Sequence, residues 1–287
     1  MAALDLRPLS LGEILDRTFS LYRRHFFLFL GITAIPHLLI LAMNLAETLL
    51  TKMPDVAAQP PAEQWQSAAS SGLMAFGVVG LIVGVVIYLV AYLFAQGGTV
   101  FAVSELYLGR TTSIGASLRR MRGQLGSLFG VIILNGLATL GATLFFVIPG
   151  IYVACRLIAC VPAALLEDLG PRSSLERSFK LTKGFAGRAL IIFFLYLILF
   201  YAAALLFMFP FLFAAGISAK DPGMARVWLA LSQVGNFLAA ILVGPFLTIA
   251  TAVFYYDLRV RKEAFDLQLM MNPSGSIPSA GAPNMLS

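Results

Sequence analysis

IPGIYVACRLIACVPAALLE, residues Ile148–Glu167, is almost wholly apolar, yet Arg156 stands in its middle. A permanent cation in such a run is costly in lipid and needs a partner in protein or water. Of the 287 residues, 59% are hydrophobic and 12% charged, against about 25% charged in a soluble domain. Uncharged runs extend over Gln64–Ser104, Gly123–Cys155, Ala189–Ala219 and Val227–Tyr256. Crossing a bilayer takes about 20 apolar residues, and these runs lack the polar face of a soluble amphipathic helix. The pattern predicts an all-α integral membrane protein.

Six transmembrane helices are expected, over 25–47, 72–101, 125–148, 151–166, 187–215 and 227–256. A break at Pro149-Gly150 separates the third from the short fourth. Pro36, Pro162, Pro210 and Pro245 are expected as bends rather than ends. The apolar stretch after Arg24 runs about 22 residues, past the roughly 7–15 of a cleavable signal.

Lys and Arg set the orientation. Sixteen lie before the first span, between spans two and three, between four and five, and after the sixth; Lys52, Lys220 and Arg226 lie opposite. Both termini are therefore expected in the cytoplasm of a cell-membrane protein. Residues 1–24 form a cytoplasmic amphipathic helix, 25–256 the membrane domain and 257–271 a cytoplasmic basic segment. The Pro/Gly-rich tail 272–287 is expected to be disordered, and 51–71 is an extracytoplasmic Pro/Ala/Ser-rich connection. With basic residues at span ends rather than on one stripe, the net charge of +6 points to anionic lipid, not nucleic acid.

Three basic segments carry helical periodicity. SLGEILDRTFSLYRR opens with the capping pair Ser10 and Glu13, then repeats Leu11, Ile14, Leu15, Thr18 and Tyr22. Ile114, Leu118, Met121 and Leu125 form a stripe beside Arg119, Arg120 and Arg122, and Leu175, Phe179 and Ala186 one beside Arg177 and Lys180. Each suits a helix lying in the headgroup layer, with Arg17, Arg119, Arg120, Arg122, Arg177 and Lys180 as lipid contacts. Each also contains L-x-R shortly before an outward span, which predicts three units of interfacial helix, span out and span in.

RPLSLGEILDRTFSLYRRHFFLFL, FFVIPGIYVACRLIACVPAALLEDLGPRSSLERSFKLTKG and FYYDLRVRKEAFDL resemble the bacterial glycerophosphoryl diester phosphodiesterase membrane-domain family, over essentially Arg7–Leu267. The resemblance implies a multi-helix membrane domain, which in some members precedes a soluble phosphodiesterase domain. The residues after Leu267 are too few for a catalytic barrel of about 250 residues, so no activity is carried over.

No catalytic constellation is apparent. His25 and His37 have no ligand-spaced companions, so neither a metal nor another cofactor is expected. His37 is taken as a hydrogen-bonded packing residue, Cys155 and Cys160 as buried free thiols, and Gly77, Gly80 and Gly84 as close-packing residues. Arg156 lies about 10 Å from the outer surface at 1.5 Å per residue. A polar cavity around it is expected from Asn135, Thr139 and Thr143, Asn44 and Glu47, and Ser232, Gln233 and Asn236. Two readings stay open there, a ligand-binding cation and a snorkelling anchor. The expected function is a non-enzymatic membrane domain organising anionic lipids or membrane-protein partners. The alternatives are a transporter or channel subunit, and an accessory to a lipid-hydrolysing phosphodiesterase.

Overall fold

A computed structural model describes residues 7–50, 73–218 and 220–263, with side chains placed for 7–48, 82–218 and 220–263. The expectations for 51–71, for 264–271 and the tail, and for the packing of Gly77 and Gly80 lie outside these residues.

Every regular element among the described residues is a helix: α1 Leu11–Arg24, α2 Phe26–Leu50, α3 Leu73–Tyr107, α4 Ile114–Met121, α5 Leu125–Phe145, α6 Val147–Arg156, α7 Cys160–Leu166, α8 Pro171–Leu181, α9 Ala186–Phe207, α10 Phe209–Ile217 and α11 Pro222–Glu263. Six stretches are long and apolar enough to cross a membrane: Phe26–Thr48, Ile82–Tyr107, Leu125–Phe145, Val147–Leu166, Ala186–Phe207 and Pro222–Glu263. Leu144, Phe145, Phe146 and Ile148 are each at least 75% exposed. Such a rim would be a liability in water and is natural in lipid. The chain is an all-α, multi-pass membrane protein.

The breaks differ from expectation in an instructive way. Span three ends at Phe146, whose backbone is extended, and Pro149-Gly150 falls inside the first turn of α6. Span four breaks again at Leu157–Ala159, dividing it into α6 and α7. Pro162 lies in the first turn of α7 and Pro210 in that of α10, where first-turn amides lack intrahelical partners anyway. These two prolines therefore mark new helices, while Pro36 and Pro245 lie inside continuous ones. Helices α3 and α11 run past the expected span ends at 101 and 256. At 42 residues, α11 is about 63 Å long, twice a hydrocarbon core of about 30 Å.

The chain divides into two compact units, Met1–Thr33 with Leu93–Leu199 and Val243–Ser287, and Ala34–Tyr92 with Phe200–Leu242. In the second, a Cβ at Gly84 would meet the Met43 methyl at 2.3 Å, and one at Gly235 the Phe207 carbonyl oxygen at 2.0 Å. The first holds the basic ends of the spans and all three amphipathic helices.

Among the described residues, element order repeats three times as a short helix followed by two apolar runs. Each L-x-R arginine reaches the C-terminal end of the second apolar run of a unit. Arg17 donates to the Tyr107 hydroxyl at 3.0 Å, Arg120 to Glu105 at 2.7 Å, and Arg177 to Glu167.

Helix α1 is capped as read, by the reciprocal Ser10–Glu13 box. The apolar stripe of α4 meets protein. A Cβ at Gly31 would strike Ile114, one at Gly98 Leu118, and one at Gly97 Met121 at 1.9 Å, so α4 sits in a bed of glycines. Helix α8 corrects the expectation further. Its fully buried face is Ser174, Ser178 and Leu181, not the Leu175–Phe179 stripe, which is only partly covered. Serine hydroxyls can be buried there because each has a carbonyl to bond: Ser174 that of Gly170 at 2.8 Å and Ser178 that of Arg156 at 2.8 Å.

Candidate functional site

The largest buried side chains of the first unit include Arg259, Tyr255 and Tyr256, with the smaller Asp257 and Glu167 beside them in burial. A polar centre this dry persists only if every group is paired.

Glu167, the residue ending α7, is one hub. Its carboxylate accepts from Arg177 Nε at 2.7 Å and Nη2 at 2.9 Å, and from the Tyr255 hydroxyl at 2.6 Å. Arg259 Nε lies 3.8 Å from it. Glu263 completes a neutral set of two acids and two arginines, accepting from Arg177 at 2.8 Å and Arg259 at 3.1 Å. Burial opposes the charge of Arg177, but the hydrogen bonds of Glu263 and Glu167 outweigh it and hold the guanidinium above the ordinary arginine value.

Asp257 is the second hub. It accepts the Leu9 amide at 2.7 Å, Arg261 Nε at 2.9 Å one helical turn on, and Arg188 at 3.5 Å. The same two arginines donate to the Leu9 carbonyl. The segment entering α1 is thus clamped to the end of α11. Beside it the Tyr256 and Ser104 hydroxyls bond at 2.8 Å, and the Tyr256 ring stacks on Tyr107 at 4.9 Å.

Arg156 terminates α6 at the chain break. Its Nε donates to Thr182 Oγ1 at 3.1 Å, one Nη to the Tyr152 hydroxyl at 2.8 Å and the other to the Phe179 carbonyl. Its guanidinium also lies 5.1 Å from the Phe179 ring. Because α6 stops here, the Arg156 carbonyl is free to accept from Ser178 and Thr182.

Within the same unit, the three residues expected beside it on α5 have other partners. Asn135 donates to Cys160 Sγ at 3.3 Å, Thr139 to Asn135 at 3.4 Å, and Thr143 to the Thr139 carbonyl at 2.8 Å. None of the three bonds Arg156. The cause is the break at Leu157–Ala159, which delivers Arg156 to α8 instead of leaving it beside α5. Exposed Glu47 and half-buried Asn236 belong to the second unit, where Asn44 donates to Gln233 at 3.3 Å.

The expected lipid contacts divide likewise. Arg119, Arg122 and Lys180 are exposed. Arg120 is tied to Glu105 and lies 4.8 Å from the Phe101 ring, Arg17 is tied to Tyr107, and Arg177 is 16% exposed and locked between two acids. The guanidinium of Arg177 is thus held by protein carboxylates. Cys155 and Cys160 are free and buried. Among the described residues no His, Cys, Asp and Glu group is placed to hold a metal ion.

The residues missed by sequence reasoning are Glu167, Tyr255, Tyr256, Asp257, Arg259 and Glu263. A local signal existed in the i,i+4 pairs Asp257–Arg261 and Arg259–Glu263. A further one was the placing of acids inside otherwise basic segments. Comparison of the chain with protein-family models, curated proteins and solved structures gives no match.

Proposed function

We propose that this protein is a non-enzymatic membrane domain of the cell membrane, with both termini cytoplasmic, whose basic ends organise anionic lipid. One observation carries it: α4 spends its apolar stripe on Gly31, Gly97 and Gly98, and so holds Arg119 and Arg122 outward on a fixed support. A helix docked in this way presents charge without the entropy of a loose arm, and each cation near an anionic surface contributes about 1 kcal/mol. The buried acids support the non-enzymatic reading, because Glu167 and Asp257 are each engaged by several donors of the protein itself. The transporter alternative is weakened by the engagement of Arg156 with Tyr152, Phe179 and Thr182. A phosphodiesterase partner rests on the family resemblance alone.

The test is thermal unfolding in nanodiscs of phosphatidylcholine with and without phosphatidylglycerol. The wild type is expected to melt higher with phosphatidylglycerol, and Arg119→Gln/Arg122→Gln to lose most of the difference. Equal melting of the wild type in both lipids would refute the reading.

A further inference from the structure

We propose that the turn joining α8 to α9, residues 182–185, is a binding site for a phosphate group, held by Arg156, Lys183 and Lys262. It deepens the anionic-lipid reading by locating a discrete site on residues other than those of α4.

Three elements bring cations to this turn. Arg156 closes α6, Lys183 sits in the turn, and Lys262 arrives from the end of α11. The Lys262 ammonium donates to the carbonyls of Lys180 at 2.7 Å and Lys183 at 3.1 Å. Lys262, Arg188 and Arg261 also surround the Phe185 ring at 5.8, 5.5 and 5.7 Å from its centroid.

Charge pairing is what singles the place out. Nearby Arg177 and Arg259 share Glu167 and Glu263, and Arg188 and Arg261 share Asp257. Among the described residues no carboxylate pairs with Arg156, Lys183 or Lys262. Like charges gathered without a counter-ion repel one another, so the turn favours an anion.

The donor inventory specifies its chemistry. Arg156 uses three of its five N–H groups, on Thr182, Tyr152 and Phe179, leaving two. Lys262 uses two of three, and the exposed Lys183 side chain makes no hydrogen bond among the described residues. The surplus is wholly donor, which suits an acceptor-only group with several oxygens, as in a phosphate. Gly184 takes φ +87°, and a Cβ there would meet no atom within 4 Å, so the turn is open.

The source of the phosphate is separable by experiment. Protein in neutral detergent would be melted against sodium phosphate, with sodium chloride at matched ionic strength as reference, and against phosphatidic acid, with phosphatidylcholine as reference. A saturable rise in melting temperature is expected, with half-saturation about tenfold weaker in Lys183→Gln/Lys262→Gln. Lys183→Gln alone, at an exposed side chain, gives the same direction should the double variant fold poorly. Arg119→Gln/Arg122→Gln should keep the response to sodium phosphate, which separates this site from the surface of α4. A response to both ligands supports a general phosphate site, and one to phosphatidic acid alone a headgroup site. No saturable response to either, or one unchanged in both lysine variants, overturns the proposal.

Discussion

Arg156 and Thr182 bind each other in both directions. The guanidinium Nε donates to Thr182 Oγ1 at 3.1 Å, while the Thr182 hydroxyl faces the Arg156 carbonyl at 2.9 Å and the Ser178 carbonyl at 2.7 Å. A helix break thereby becomes a joint, because the carbonyl freed by the end of α6 and the cation beside it are satisfied by the same turn of α8.

Arg156→Leu removes the donor for the Phe179 carbonyl and for Thr182, costing about 1–3 kcal/mol for each stranded group. Arg156→Lys keeps the charge but cannot span Thr182, Phe179 and Tyr152 at once. Both should melt below wild type in neutral detergent, with Leu lower. An Arg156→Leu protein as stable as wild type would show that the joint contributes nothing.

Glu167→Gln leaves Arg177 and Arg259 with one acid between them in a buried setting. Breaking such a set should cost about 3–5 kcal/mol. In a double-mutant cycle with Arg177→Met, the second change should cost much less than it does alone. Additive losses would contradict the hub.

Glycines separate close approach from mere tolerance. A Cβ at Gly150 would lie 2.0 Å from Thr143 Oγ1 and 2.9 Å from its Cα, so Gly150→Ala should destabilise by roughly 1–3 kcal/mol. Gly136, in the middle of α5, has nothing within 4 Å, and Gly136→Ala should be neutral or gain up to about 1 kcal/mol. Thermal melts of the two variants should therefore move apart.

The Glu13 carboxylate is held down at about 2, against an ordinary 4.5, by the Ser10 amide, the Ser10 hydroxyl and Arg7. A lowered acid supports the fold above its unfolded value, and that support fades as pH falls through the folded value. The capping of α1 should accordingly persist at pH 4.5 and be lost towards pH 2. In Arg7→Gln the Glu13 titration, followed by NMR, should move upward; an unmoved midpoint would remove Arg7 from the box.

The orientation proposed from Lys and Arg has its own check. Reporter fusions after residues 60 and 220 should report the outside, and fusions after 115, 180 and 270 the cytoplasm. A cytoplasmic signal at residue 60 would overturn the arrangement of the first two spans.

The sequence by itself determined the membrane class, the approximate spans, the Ser10–Glu13 cap and the short helix before the first, third and fifth spans. These follow from composition, run length and periodicity, which act over a few turns of chain. Only the tertiary structure decided what those helices bury. Met121 meets Gly97 and Ser178 meets the carbonyl of Arg156, contacts that no helical wheel contains. The hubs were out of reach for the same reason, since Leu9 and Asp257 stand 248 residues apart and Arg177 and Glu263 86. Arg156 was visible as a cation needing a partner, because burial of charge is a local cost. Its partner was set by the break at Leu157–Ala159, where α6 ends against α8 and the unpaired carbonyl and guanidinium find the same threonine.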